Sequence, residues 1–155
     1  MLPTEQIHPV VVHFPIVFTL TLAAFDLAVL FRSGIIGGRD SVGNVSTGLA
    51  VCAGTFAAIA FAFGDVALDI ALDKGTKLSV METHEELGHV AAAVLVIWGI
   101  IRAILWWCKR QLSGKCAVSI VVLEIIIAAL IITTAYFGGQ LVYEFGVGVA
   151  TDKYT

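Results

Sequence analysis

Four histidines occur in this sequence as two pairs with the same internal spacing. His8 and His13 lie at the start of the first long apolar segment, and His84 and His89 lie at the start of the third. Neutral imidazole is the commonest metal ligand in proteins, and it is also an axial ligand of haem iron. The pattern therefore indicates a site for a metal ion or a haem.

His13 and His89 are the deeper members of the two pairs, a few residues inside their apolar segments. Successive membrane-crossing segments alternate in direction, so the first and third cross the membrane in the same direction. We therefore expect the side chains of His13 and His89 at matching depth. They are the predicted ligands of a haem b, while His8 and His84 form an alternative site or are ordinary boundary residues. A Zn, Cu or Fe ion is the alternative guest, since histidines with carboxylates suit each of these ions.

Three further polar residues are expected at the same end of the molecule. Asp65 lies near the end of the second apolar segment, and Gln140 and Tyr143 follow the fourth. Groups of this kind orient metal ligands through hydrogen bonds, and they can also contact haem propionates. The sequence therefore predicts Asp65, Gln140 and Tyr143 as cofactor-binding residues around the histidines.

The elements that must position these residues are apolar segments long enough to cross a bilayer. The 155 residues are 59% hydrophobic and only 14% charged, with a mean hydropathy of +0.96. A crossing helix needs about 20 mostly apolar residues, and four segments qualify, at about 7–31, 47–71, 84–108 and 117–137. We predict an all-α protein, a single transmembrane domain over 1–155 that forms a four-helix bundle. No internal repeat of useful strength is visible.

The charges of the connections predict the orientation of this bundle. Lys and Arg in short loops mark the cytoplasmic face of a membrane protein. The central connection holds Lys74 and Lys77, whereas the first and third connections hold more basic residues, namely Arg32, Arg39, Lys109, Arg110 and Lys115. The first and third connections are therefore expected in the cytoplasm, with both termini and all four histidines on the extracytoplasmic side.

A second polar layer is expected near the cytoplasmic face. Asp26, Arg102 and Glu124 lie at one depth in three different apolar segments. Because a charge inside a membrane needs a partner, these residues are expected to form one cluster. Its favoured role is an ion pair that locks the helices together, and the alternative is a contact for a proton or a quinone head group.

Several functions lack support in the sequence. A net charge of −3 and a pI near 5.7 provide no basic surface for nucleic acid. The cysteines form no CxxC motif, and Cys108 and Cys116 are expected to remain thiols on the reducing side of the membrane. No nucleophile–base pairing or phosphate-binding motif supports a hydrolase or a transferase. Whether the protein is an enzyme stays undecided, and an electron carrier or redox subunit is favoured over a stand-alone enzyme.

Both ends of the chain carry recognisable motifs. Residues 7–16 read IHPVVVHFPI and residues 138–149 read GGQLVYEFGVGV. They resemble the HPxxVHFPI and GGxLVYxxGVGV signatures of a family of small bacterial four-helix membrane proteins of unknown function. The residues at matching motif positions are His8, His13, Asp65, His84, Gly138, Gly139 and Tyr143. The resemblance implies a multi-pass protein of the bacterial inner membrane, and since relatives are joined to cytochrome or Rieske-type modules, it also implies a redox setting.

The residues and the resemblance together predict a membrane electron-transfer protein similar to a b-type cytochrome. It is expected to bind haem near the outer face through histidines of the first and third segments. Membrane lipid surrounds it, and quinone or an extracytoplasmic redox protein is the expected electron partner. A membrane protein that binds a divalent transition metal and a non-catalytic membrane subunit remain alternatives, and homo-oligomer formation is left open.

Overall fold

The computed structural model describes residues 7–73 and 79–147, apart from the side chain of Asp73. The two termini and the residues Lys74 and Lys77 of the central connection lie outside the described residues. The described elements are α1 (Ile7–Val11), α2 (His13–Ser33), β1 (Ile35–Gly37), α3 (Ser41–Asp73), α4 (Ser79–Trp107), β2 (Gln111–Ser113) and α5 (Gly114–Tyr143).

Four helical segments are long and apolar enough to cross a membrane, as the sequence predicts. They are Ile7–Ser33, Ser41–Leu72, Ser79–Trp107 and Gly114–Tyr143. Only 28–33% of each apolar window is buried inside the protein, and many large side chains such as Phe31, Ile97 and Ile126 are exposed. Such a surface suits contact with lipid chains, which are apolar and form no hydrogen bonds. Each helix satisfies its own backbone N–H and C=O groups by internal hydrogen bonds. The chain is a multi-pass membrane protein.

The helices extend beyond the segments that hydropathy marks. The second span begins at Ser41, where the Asp40 carboxylate accepts a hydrogen bond from the backbone N–H of Gly43 at 2.8 Å. The third begins at Ser79, and Thr83, one turn inside it, donates its hydroxyl to the Ser79 carbonyl at 3.1 Å. Hydropathy locates the part of a helix in lipid, whereas polar turns continue the helix into the interface.

The fourth span also differs from the prediction at its C-terminal end. The sequence suggests that Gly138 and Gly139 end this helix, but α5 continues through both and includes Gln140 and Tyr143. Glycine weakens a helix by only about 1 kcal/mol relative to alanine, so a well-packed helix tolerates two of them.

The first span is divided into two helices at Val12. Pro15 has no N–H to donate to the carbonyl of Val11, so the regular hydrogen-bond ladder is interrupted there. The Val12 N–H still bonds to His8 and its carbonyl accepts from Ile16, at 3.0 and 3.5 Å. His8 and His13 consequently lie on two sides of this break, whereas His84 and His89 share one continuous helix.

Two short strands replace the flexible loop and tight turn that the sequence suggests. β1 and β2 pair antiparallel, with Ile36 opposite Leu112 at the centre of the register. Gly37 has a φ of +87°, and a Cβ there would lie 2.8 Å from the carbonyl oxygen of Arg110. Glycine is therefore required where the first connection approaches the third. This pairing ties the two connections together at one end of the bundle.

The four spans form a ring in which each packs against two neighbours. The order is α2, α3, α4 and α5, so that α2 faces α4 across one diagonal and α3 faces α5 across the other. The central core consists of Leu22, Ala50, Ala53, Ala57, Ala91, Leu95, Trp98, Ile127 and Ile131. We call the end with His8 and His84 the histidine end, and the opposite end, with β1 and β2, the strand end.

Glycines bring α3 and α4 into close contact near the middle of the bundle. A Cβ on Gly54 would lie 2.8 Å from the carbonyl oxygen of Leu95, and one on Gly99 would lie 3.0 Å from that of Ala50. Small residues allow helix backbones to approach in this way in membranes, where packing rather than the hydrophobic effect joins helices. This contact fixes α4, which carries His84, against α3.

The two halves of the chain share one spacing of several polar residues and of the two strands. His8, His13 and Asp26 recur at one constant offset as His84, His89 and Arg102, and β1 recurs as β2.

Candidate functional site

A cavity of about 450 Å³ opens at the histidine end of the bundle. All four histidines line it, and most of the remaining lining is apolar. Small residues on three helices create much of the space, among them Ala57, Ala60, Gly64, Ala91, Ala92 and Gly138. Ligand cavities of about 300–1,000 Å³ with an apolar wall and few polar groups are typical binding sites.

Within this cavity the structure brings His8 and His84 together. Both side chains are half-buried, and their ring centroids lie 6.3 Å apart with an angle of 74° between the planes. They come from α1 and α4, two elements of different halves that approach across the bundle. His8 and His84 were predicted only as an alternative site or as boundary residues, yet they are the pair in contact.

In each ring, Nδ1 is the nitrogen that is hydrogen-bonded to a backbone carbonyl group. The Nδ1 atom of His8 lies 2.8 Å from the carbonyl oxygen of Ala60, and that of His84 lies 3.1 Å from the carbonyl oxygen of Thr134. Because a carbonyl only accepts, each Nδ1 carries the hydrogen, and in the neutral ring Nε2 keeps its lone pair. No described residue forms a hydrogen bond with either Nε2, so both are available to a guest.

Glycines provide the surfaces against which these rings rest. A Cβ on Gly64 would lie 3.0 Å from Cε1 of His8, and a Cβ on Gly138 would lie 2.9 Å from Cε1 of His84. In both halves the glycine lies one helical turn after the residue whose carbonyl accepts the histidine hydrogen bond. The hydrogen bond and the glycine together fix the position of each ring.

His13 and His89 lie at the rim of the cavity rather than against each other. Both side chains are exposed, and no described contact joins their rings. The Nε2 atom of His89 lies 3.5 Å from Oδ1 of Asp65, with both side chains about half exposed, and the His89 ring packs on Phe61 at 5.1 Å between centroids. Asp65 is therefore at the predicted end of the molecule and pairs with a histidine there.

Gln140 and Tyr143 are less closely involved than the sequence predicts. Gln140 does not line the cavity, because its amide is directed along α5 toward Tyr136 and Glu144, at 3.4 Å from an oxygen of each. Tyr143 lines the cavity, but it is 89% exposed. Gln140 and Tyr143 both lie in α5, which continues farther than predicted. The helix, rather than a loop, therefore sets the direction of each side chain.

The predicted charged layer exists and lies inside the bundle toward the strand end. Nη1 of Arg102 donates to Oδ2 of Asp26 at 2.8 Å and to Oε1 of Glu124 at 2.9 Å. Asp26, Glu124 and Arg102 are 0%, 1% and 2% exposed. The cluster joins three of the four spans, α2, α4 and α5, as expected for residues at one depth.

Two further residues complete this layer and were not recognised from the sequence. The Ser46 hydroxyl donates to Oδ2 of Asp26 at 2.8 Å and also accepts from Nη2 of Arg102. Nε1 of Trp98 donates to Oε1 of Glu124 at 3.3 Å. A lone serine and a tryptophan in apolar segments carry no signal of their own, although Trp98 lies one helical turn before Arg102.

Among residues 7–73 and 79–147, no group of three or more His, Cys, Asp or Glu side chains is arranged to hold a metal ion. The cysteines of the chain are free thiols, with Cys108 and Cys116 exposed and Cys52 partly buried.

The fold and the site define a class, a small multi-pass membrane bundle with a histidine-lined cavity at one end and a buried charged layer toward the other. The chain belongs to the family described as "Predicted membrane protein (DUF2231)", which matches residues 4–151. The family resemblance that the end motifs suggest is thereby confirmed. No curated protein and no solved structure matches the chain.

Proposed function

We propose that this protein is a membrane electron carrier that would bind one b-type haem in the cavity, held by His8 and His84. The observation that carries the proposal is the pair of imidazoles 6.3 Å apart, each with Nδ1 on a backbone carbonyl. Metal-bound histidines almost always donate their second ring nitrogen to such a group, which fixes the tautomer and the ring orientation. The ligand pair thus differs from His13 and His89, on which the sequence placed the haem.

The separation of the two rings suits a shared metal atom. A metal atom held by both rings would lie about 2.0–2.1 Å from each Nε2, and the 6.3 Å between the ring centroids leaves room for it. The apolar walls of the cavity suit a porphyrin, and the half-exposed His89 at the rim offers a ring N–H to a propionate. Haem would supply reversible one-electron chemistry when bound, and the residues of this chain would hold it, orient it and keep water away.

The number of protein ligands favours haem over a bare metal ion. Structural and catalytic Zn sites use three or four protein ligands, and the described part of the chain offers no such group. A porphyrin brings four nitrogens of its own, so His8 and His84 would be sufficient protein ligands. The divalent-metal site therefore remains the second candidate, supported by the four histidines around one cavity.

The distribution of basic residues supports an orientation with the histidine end outside the cell. Arg39 is anchored at the strand end, where its guanidinium lies 4.4 Å above the Trp106 ring and donates to the Trp106 and Trp107 carbonyls. Such tryptophans and basic residues mark an interface, and an excess of Lys and Arg marks the cytoplasmic one. In this orientation, in a bacterial inner membrane, the histidine end would face the expected electron partner, quinol or an extracytoplasmic protein.

The natural cysteines test this orientation. Cys108 and Cys116 are exposed at the strand end, so a membrane-impermeant maleimide is expected to label inside-out vesicles strongly and intact cells hardly at all. The Cys108→Ser/Cys116→Ser variant, which retains Cys52, is the matched control and should lose the label. Equal or stronger labelling of intact cells would show that the strand end faces outward.

The visible spectrum of the purified protein tests the proposed function. We expect a Soret band and sharp α and β bands on reduction, with one haem per chain, in protein from haem-sufficient cells or after addition of haemin. A colourless protein with one equivalent of Zn, Cu or Fe by elemental analysis supports the metal-ion candidate. A protein that binds neither is a non-catalytic membrane subunit, and the haem proposal is then abandoned.

A further inference from the structure

We propose that Asp26 and Glu124 share one bound proton, which makes the charged layer a proton-binding site inside the membrane. This inference does not rest on the haem proposal, since it concerns a cluster at another depth of the bundle. It follows from the charge balance of the cluster and from the oxygen atoms that the cluster leaves without partners.

The charges of the ionised side chains in the cluster do not sum to zero. The groups that meet here are Asp26 from α2, Ser46 from α3, Trp98 and Arg102 from α4, and Glu124 from α5. With both acids ionised, two negative charges face the single positive charge of Arg102. All three charged residues are at most 2% exposed, and an uncompensated buried charge is costly. One proton on the acid pair makes the cluster neutral.

The unpartnered oxygens point to the same ligand. Oδ1 of Asp26 and Oε2 of Glu124 are buried, and neither has a hydrogen-bond partner among the described residues. Buried polar atoms in proteins nearly always have partners, and a carboxylate can only accept, whereas a carboxylic acid also donates. A proton is the smallest ligand that converts one of these acceptors into a donor.

The geometry allows the two acids to share this proton. Nη1 of Arg102 donates both to Oδ2 of Asp26 and to Oε1 of Glu124, so the two carboxyl groups meet at a single nitrogen. Two carboxylates that share one site typically hold one proton between them, because both cannot ionise at close range.

Infrared spectroscopy tests this proposal on the full-length protein in an ester-free detergent at pH 7. The wild type is expected to show a carbonyl-stretch band of a protonated carboxylic acid, one per chain, that shifts in D₂O. Glu124→Gln and Asp26→Asn should each lose the whole band, because the remaining acid then pairs with Arg102 as an anion. Glu86→Gln, a change at an exposed acid of α4, is the matched control and should retain it.

Three outcomes would overturn the assignment. The first is absence of the band in the folded wild type at pH 7. The second is its persistence in both Glu124→Gln and Asp26→Asn, which would place the proton on another acid. The third is a band that appears only when Na⁺ and K⁺ are removed, since the cluster then binds an alkali cation. Gel-filtration profiles that match the wild type establish that the variants are folded.

Discussion

Replacing His8 or His84 by alanine is expected to abolish the bound haem, with loss of the Soret band in the purified protein. Each variant removes one of two ligands, and haem affinity should fall by more than about 100-fold, since loss of a hydrogen-bond partner of a ligand alone costs about 10–100-fold. The measurement is the haem content per chain of detergent-purified variants with wild-type gel-filtration profiles.

His13 and His89 provide the matched controls for this experiment. Both line the same cavity, but they lie exposed at its rim, so His13→Ala and His89→Ala should retain the haem with at most a modest change in reduction potential. The opposite result, with haem lost from these variants and retained in His8→Ala and His84→Ala, would restore the ligand pair that the sequence suggested.

A pair of neighbouring glycines separates ring placement from general damage to α5. A Cβ at Gly138 would lie 2.9 Å from the His84 ring, whereas a Cβ at Gly139 would meet nothing within 4 Å. Gly138→Ala must displace the ring and should weaken haem binding by about 10–100-fold. Gly139→Ala should bind haem as the wild type does, and equal loss in both variants would argue against the proposed site.

Replacing Arg102 by alanine is expected to destabilise the bundle by about 3–5 kcal/mol, the typical cost of leaving a buried charge without its partner. Arg102 is 2% exposed and is the one described cation within hydrogen-bond distance of Asp26 and Glu124. Its loss leaves the two acids and Ser46 without their central donor. Unfolding in a mixed-detergent titration, monitored by circular dichroism, measures the change.

A neutral version of the cluster is the control. Breaking a buried ion pair is costly, but replacing all of its charges by neutral groups of similar volume is often tolerated. The triple variant Arg102→Met/Asp26→Asn/Glu124→Gln should therefore recover most of the stability that Arg102→Ala loses. An Arg102→Ala protein as stable as the wild type would show that the cluster contributes little to the fold.

The charged layer was predictable from the sequence because its charged residues have no other partners at their depth in the membrane. Asp26, Arg102 and Glu124 lie at one depth in segments that cross lipid, and the membrane offers them no other partner. The contribution of Ser46 was not predictable, because a serine hydroxyl in an apolar helix commonly donates a hydrogen bond to a backbone carbonyl of its own helix. Only the packing of α3 shows that its hydroxyl lies between Asp26 and Arg102.

The histidine pair was not predictable, because depth along a helix does not determine which way a side chain points. His13 and His89 are deeper than His8 and His84, and depth alone favoured them as ligands. In an α-helix, residues five apart differ by about 140° in direction, and the break at Val12 changes this relation in one half only. One sequence signal could have matched the two halves of the chain. His8, His13 and Asp26 recur at one constant offset as His84, His89 and Arg102.

The sequence by itself determined that four apolar helices cross a membrane, that histidines gather at one end, and that three charged residues meet toward the other. These results follow from hydropathy and from the cost of burying charge, both of which act locally along the chain. The tertiary structure decided that His8 meets His84, that glycines and carbonyls of the neighbouring helices hold the rings, and that strands join the connections. Each of these depends on the rotation and spacing of helices distant in sequence, which packing sets.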